Sequence, residues 1–330
     1  MSSRIPVLEL EDVSVAYDTH NGPVQAVNRV NLKVYQEEIV GLVGESGSGK
    51  STLAYAIMRL LKGAAFLQNG TIKVMGRDIY AMSPKELQAF RWAQMSMVFQ
   101  SAMSALNPVM TVEQQFIDTL RSHNKQMTLE QCRMRAAELM DLVRIDPKYL
   151  ASYPHQLSGG MRQRVVIAIA IALEPAFVIM DEPTTALDVV VQRSILDQIQ
   201  AIQRKVHFAV LFISHDFSLV AELAQRVAIM YAGRMVEVAD SGALTQSENH
   251  HPYTEGLLRA IPKLTADEIV IEGIPGHPPD LVSLPSGCAF HPRCPYVTDE
   301  CRQQRPSLYE VGTSEVECHR YAGEKVVQHV

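Results

Sequence analysis

The sequence predicts an α/β fold: a three-layer core with a parallel sheet covered by helices, a β-rich N-terminal segment, and an irregular C-terminal appendage. Three observations predict it. "EIVGLVG" is a continuous apolar run, as in strands buried on both faces, and it leads straight into the glycine-rich "GESGSGKST". From Val165 to Leu223 the pattern runs helix, apolar strand "FVIMDE", helix, apolar strand "AVLFIS", helix, the rhythm of parallel strands joined by crossovers. After about Ala260 the chain turns rich in Pro and Gly ("IPGHPPDLVSLPSG"), which ends regular patterning.

The elements follow in order. "VLELEDVSVAYD" and "AVNRVNLKV" alternate apolar and polar residues, as half-buried strands do. Between about residues 83 and 150 the character turns helical. Ser83-Pro84-Lys85-Glu86 combines a capping serine, a proline at the first helical position and a glutamate three residues on, and Thr128-Leu129-Glu130-Gln131 repeats the capping pattern. Cys132, on that second helix, reads as a small buried hydrophobe. "RVAIMYAGRMVEVAD" reads as a hairpin turning at Ala232-Gly233. These boundaries divide the chain into a main domain over 1–260, with a helical part at about 101–160, and an appendage over 261–330.

Composition narrows the function classes. A chain of 330 residues with 47% hydrophobic and 20% charged residues is globular. Its net charge of −6 gives no electrostatic reason to favour nucleic acid, whose binders usually carry a basic face, so no nucleic-acid partner is expected, with local basic patches left open. The opening "MSSRIPVLELED" lacks the charged start and apolar run of a secretory leader, so a cytosolic location without disulfides is expected. The longest apolar run, Val165 to Leu173, falls far short of the ~20 residues of a membrane-spanning helix, so a membrane role is expected to come through a partner.

Gly44-Glu45-Ser46-Gly47-Ser48-Gly49-Lys50-Ser51, followed by Thr52, fits the phosphate-binding pattern G-x-x-x-x-G-K-[ST], with a buried strand before it and a helix-forming stretch after it. In such a loop the glycines let backbone N–H groups approach phosphates, Lys50 neutralises the β and γ groups, and the Ser51 hydroxyl ligates Mg²⁺. "FVIMDEP" adds Asp181 and Glu182 at the exit of a buried strand. Beside a phosphate loop, Asp181 suits the Mg²⁺ shell and Glu182 suits polarisation of an attacking water.

"LSGGMRQR", Leu157 to Arg164, resembles the signature sequence of ABC-type ATPases and stands before the "FVIMDE" strand as it does in that family. Ser158 can cap the following helix, and Gly159 and Gly160 permit close backbone approach to an anion at its N-terminus. The resemblance implies a P-loop ATPase core in which this signature faces the phosphate loop of a second subunit, so that two ATP molecules are sandwiched in a head-to-tail dimer. It further implies adenine stacking by Tyr17, sensing of Mg²⁺ and the γ-phosphate by Gln100 in "MVFQ", an inter-subunit contact by Asp188 in "TTALD", and a γ-phosphate contact by His215 in "FISHD".

The 101–156 region and "HPYTEGLLRAIP" resemble the dipeptide, oligopeptide and nickel importer branch, although Ser101 stands where that branch has Asp. This implies an ATP-hydrolysing subunit on the cytoplasmic face of the membrane. Its partners would be a second ATPase chain, commonly a distinct paralogue, two membrane permease subunits and an extracytoplasmic solute-binding protein. Peptide, nickel and oligosaccharide cargoes all stay open. A soluble ABC ATPase acting on DNA or the ribosome is the competing class, and an exporter cassette is another.

Four of the five cysteines, Cys288, Cys294, Cys301 and Cys318, lie in the appendage with spacing C-x₅-C-x₆-C-x₁₆-C, wider than zinc knuckles. Four thiolates suit zinc or an iron–sulfur cluster, and buried unliganded thiols are the third reading. Some members of the branch resemble this tail and carry a [4Fe–4S] cluster there, which implies a structural staple for a segment with few periodic apolar residues.

Overall fold

The structure, a computed structural model, describes residues 5–20, 22–100, 105–185, 187–261 and 273–327. In chain order the elements are β1 (Pro6–Tyr17), β2 (Val24–Tyr35), β3 (Ile39–Val43), α1 (Lys50–Ile57), β4 (Ala65–Val74), β5 (Arg77–Asp78), α2 (Pro84–Phe90), β6 (Met95–Val98), α3 (Val112–His123), α4 (Leu129–Leu142) and α5 (Gly159–Ala170). There follow β7 (Phe177–Asp181), α6 (Val189–Val206), β8 (Ala209–Ser214), α7 (Phe217–Leu223), β9 (Arg226–Tyr231), β10 (Arg234–Asp240), α8 (Ser241–Gln246), α9 (Pro252–Arg259), α10 (Asp299–Gln303), β11 (Leu308–Val311) and β12 (Ser314–Glu317). They form two compact units, one of Met1–Leu8, Lys33–Glu38 and Lys73–Phe212, the other of Glu9–Leu32, Ile39–Ile72 and Ile213–Val330.

In the first unit, strands β8, β7 and β6 lie side by side in that order, and β6 runs parallel to β7 with Val98 opposite Met180. All residues of β6 and β7 are buried, the polar Ser96 and Asp181 among the apolar majority. Three helices here begin with a reciprocal capping box: Ser83 with Glu86, Thr111 with Gln114, and Thr128 with Gln131. The second of these went unread in the sequence. Cys132 is fully buried on α4, with Ala136, Leu139 and Met140 also buried. Strand β6 interrupts the helical character expected between about 83 and 150. Four residues between helix-forming segments are too few for periodicity to register, and their place is set by pairing with β7.

In the second unit the strand order is β11-β12-β10-β9-β3, with β3 parallel to β9 and the other pairs antiparallel. The turn between β9 and β10 falls at Ala232 and Gly233, whose φ values of 47° and 83° give the left-handed pair that matches strand twist. The appendage is less irregular than its composition suggests. Its hairpin β11–β12 pairs with β10, Glu237 opposite Val316 and Val238 opposite Glu315, and turns through Gly312 at φ 61°. Four-residue strands do not show in a Pro-rich sequence, but an edge that offers free backbone partners selects them.

Beneath this pairing Glu237, fully buried, accepts from His250 Nδ1 at 2.7 Å and from the His251 N–H at 2.8 Å. The other His250 nitrogen faces the Ser247 carbonyl at 3.0 Å, so both ring nitrogens meet acceptors and the imidazolium is the form that satisfies them. Burial pulls the His250 pKa down, but the Glu237 hydrogen bond and charge, aided by Ser247 and Glu255, outweigh it and leave the pKa raised. A raised folded-state pKa stabilises the fold fully below the unfolded value near 6.5 and loses that contribution as pH rises through the folded value. The destabilisation caused by His250→Ala, measured from urea midpoints, is therefore expected to be larger at pH 6 than at pH 9. A cost independent of pH would contradict the charged assignment.

Candidate functional site

In the second unit β3 delivers its chain directly into the loop Gly44–Gly49, and α1 begins at Lys50. Gly49 is the N-cap of α1 in the left-handed region, φ 102°, with no side-chain cap and no acidic residue in the first turn. A Cβ there would run into the Ala26 carbonyl oxygen, so only glycine fits. The helix thus opens with N–H groups that no side chain caps, the arrangement that receives an anion. Lys50 is buried, and its Nζ donates to the Gly44 carbonyl at 2.7 Å, the Glu45 carbonyl at 2.9 Å and Ser48 Oγ at 3.3 Å. These bonds hold a compact cation inside the loop, beside the helix start. At the far edge Tyr17, part-exposed at the end of β1, meets the Thr52 hydroxyl at 3.1 Å. His215 follows β8 and is exposed, and Asp216 next to it caps α7.

In the first unit the parallel register of β6 and β7 brings together the two residues that follow them. Gln100 Nε2 donates to Glu182 Oε2 at 2.9 Å, and the Thr185 hydroxyl donates to the same oxygen at 3.0 Å. Glu182 has φ 47°, a left-handed backbone that a non-glycine residue adopts at a cost, and it turns the carboxylate toward these donors. Asp181, the last residue of β7, is fully buried. Thr185 was not singled out from the sequence, because only the fold shows that its hydroxyl reaches back to Glu182. Ser158 caps α5 through the Met161 N–H at 3.3 Å, and Gly159 and Gly160 form its first turn. Asp188 caps α6 through the Val191 N–H at 2.9 Å. Ser101 lies outside the described residues.

Residues 27–185 match the ABC transporter family, and residues 236–301 match the oligopeptide/dipeptide transporter C-terminal region. The chain is 37% identical over 317 residues to the dipeptide transport ATP-binding protein DppD of Caldanaerobacter subterraneus, covering 96% of this chain and 97% of that one. The chain belongs to the ABC transporter ATPase family. A second relative, the dipeptide transport ATP-binding protein DppD of Escherichia coli, is 42% identical over 307 residues, 92% of each chain. Among solved structures, a dimeric bacterial ABC transporter cassette aligns with a TM-score of 0.63 at 26% identity, covering 71% of this chain and 98% of that one. The same measures hold for a post-hydrolysis ATP-binding cassette bound to ADP and Pi. No helix among the described residues of this ABC ATPase is long and apolar enough to cross a membrane.

The C-terminal region of the ABC ATPase packs through aromatic rings. Phe290 lies 5.2 Å from Tyr231, edge-on, and 5.5 Å from Tyr253, with His251 at 5.6 Å. Burial pushes the His251 pKa down to about 3, with Arg320 adding to the effect, so this ring stays neutral; its Nδ1 accepts from the Tyr253 N–H at 3.0 Å. Cys288, Cys294, Cys301 and Cys318 all line one cavity of about 20 Å³. Burial pushes the Cys288 thiol up to about 12 and the Cys318 thiol up to about 11, and neighbouring cysteines add to both. Among the described residues no three His, Cys, Asp or Glu side chains are arranged as a metal-binding group.

Proposed function

We propose that the chain is the ATP-hydrolysing subunit that powers uptake of di- and oligopeptides through separate membrane permease subunits. The observation that carries this reading is similarity over nearly the whole chain to dipeptide transport ATP-binding proteins, including the C-terminal region over 236–301 that the ABC transporter match at 27–185 does not reach. Peptide is preferred over nickel or oligosaccharide because these relatives are dipeptide transport proteins. A soluble ATPase working on DNA or the ribosome does not account for that terminal region.

In this reading Gly44–Gly49 and the start of α1 bind the phosphates of ATP through backbone N–H groups, Lys50 neutralises the β and γ groups, Thr52 closes the loop and Tyr17 stacks on adenine. The donor set fits a magnesium ion: a hydroxyl at the helix start, Ser51, a fully buried carboxylate, Asp181, and the Gln100 amide. Mg²⁺, when bound, neutralises charge on the β and γ oxygens. Glu182 takes a proton from the attacking water, oriented by Gln100 and Thr185, and His215 contacts the γ-phosphate. Ser158, Gly159, Gly160 and Asp188 serve the nucleotide of a second ATPase subunit, proposed to be a distinct paralogue. The complex further includes two permeases and an extracytoplasmic solute-binding protein, with this chain peripheral on the cytoplasmic face of the membrane.

The four thiols fit a soft metal by their chemistry. We propose Cys288, Cys294, Cys301 and Cys318 as ligands of a [4Fe–4S] cluster, which when bound would cross-link the tail. A single Zn²⁺ is the second reading, because four thiolates suit it by the same chemistry. Iron and zinc analysis of anaerobically purified protein separates the two.

Affinity purification of the tagged chain from detergent-solubilised native membranes, with mass spectrometry, tests the assembly. Two multi-span proteins and a second ATPase are the expected companions. Ribosomal or DNA-bound companions from the soluble fraction would sink the reading.

A further inference from the structure

We propose that Arg293, in the C-terminal region, is a positioning residue for the phosphate loop: it grips Glu45, fixing the loop backbone and cancelling a carboxylate charge that would otherwise repel phosphate. The inference rests on reading Gly44–Ser51 as the loop that binds ATP.

The pair is two-pronged. Arg293 Nη1 donates to Glu45 Oε2 at 2.7 Å and Nη2 to Oε1 at 3.0 Å, with the guanidinium side chain 4% exposed and the carboxylate 28%. Such a forked pair fixes orientation as well as charge. Its remaining donors are committed to the tail and the sheet: Nε to the Pro275 carbonyl at 2.8 Å, Nη2 to the Ile274 carbonyl at 3.3 Å and Nη1 to the Tyr231 hydroxyl at 3.4 Å. The rings of Tyr231 and Phe290 lie 5.8 and 5.9 Å from the guanidinium carbon. The arginine is therefore held from several directions and has little freedom to follow a moving partner.

Glu45 is held equally closely. Its N–H donates to the Tyr253 hydroxyl at 2.9 Å, and its carbonyl accepts from Lys50 Nζ at 2.9 Å. One loop residue therefore links the tail arginine to the phosphate-binding lysine, Arg293 to Glu45 to Lys50. Arg293 and Tyr253 both fall inside the matched C-terminal region, so that region contributes two side chains to the phosphate loop. The electrostatics give the pair its purpose. A carboxylate placed where a polyanionic nucleotide docks opposes binding unless a cation neutralises it, and burial on the arginine side limits screening by salt.

The test uses the full chain and equilibrium titration with a fluorescent ATP analogue, with thermal unfolding of each variant. Arg293→Ala is expected to weaken binding about tenfold or more, since it leaves a partly buried carboxylate without its partner. Arg293→Lys is expected to recover only part of the affinity, because an ammonium supplies charge without the fork. Glu45→Gln/Arg293→Ala is expected to bind within about threefold of Glu45→Gln alone, since the repelling charge is gone. A merely structural arginine would not show this rescue. Unchanged binding by Arg293→Ala, or a double variant as weak as Arg293→Ala, overturns the inference. If Arg293→Ala does not fold, Arg293→Lys decides: weaker binding at unchanged thermal stability supports the inference, and wild-type binding overturns it. Lys50→Ala separates the two levels of the argument. Wild-type affinity in Lys50→Ala would remove the phosphate-loop reading itself, whereas lost affinity there with no effect at Arg293 removes only the present inference.

Discussion

Glu182→Gln is expected to lower steady-state ATP hydrolysis by about 10²–10⁴-fold while leaving ATP binding within about threefold of wild type, the loss typical when a positioned general base is removed. The geometry makes the substitution discriminating. Glu182 Oε2 accepts from Gln100 and Thr185, and a glutamine oxygen can accept from the same two donors, so the loop after β7 keeps its shape. The backbone at Glu182 holds φ 47° in either case. What changes is basicity: an amide cannot take the proton of an attacking water. Single-turnover and steady-state assays on the same preparation check this. Hydrolysis retained above a tenth of wild type would move the base elsewhere.

Phe290→Ala is expected to destabilise the fold by about 3–5 kcal/mol, the usual cost of emptying a buried aromatic site. Phe290 is 2% exposed and is surrounded by Tyr231, Tyr253, His251 and Arg293, all of them large side chains that cannot collapse into the space. Because domains are stable by only about 5–15 kcal/mol, the loss is a large share of the total. A lowered urea midpoint and faster tryptic cleavage within 288–321 are the expected readouts. A shift of less than about 1 kcal/mol would show that the tail does not depend on this ring.

The α/β core was legible because its signals are local and redundant. The short buried strands β3 and β7 and the capping serine and threonine before α2 and α4 declare themselves within a few residues, as does the Ala232-Gly233 turn. The glycine-rich loop from β3 into α1 was legible for the same reason, since its closely spaced glycines mark a turn at the start of a helix. Strand β6 and the β11–β12 hairpin were not, because four residues carry too little pattern and each is chosen by a neighbouring strand edge. The bond from Arg293 to Glu45 spans 248 residues, and no spacing rule connects positions so far apart. The cysteines stand between these cases. Their clustering in the sequence was read as a ligand set for a cluster or zinc, whereas among the described residues they line one cavity and are not arranged as a metal-binding group.

Hydrolysis of ATP with Glu182 as the proposed base is what would drive peptide across the membrane. The most direct measurement is uptake of a labelled dipeptide into proteoliposomes holding the purified complex, with the solute-binding protein outside and ATP enclosed. The expected result is accumulation that needs enclosed ATP and is abolished when this chain carries Glu182→Gln. Peptide uptake of equal rate with and without ATP, or undiminished by Glu182→Gln, would contradict it.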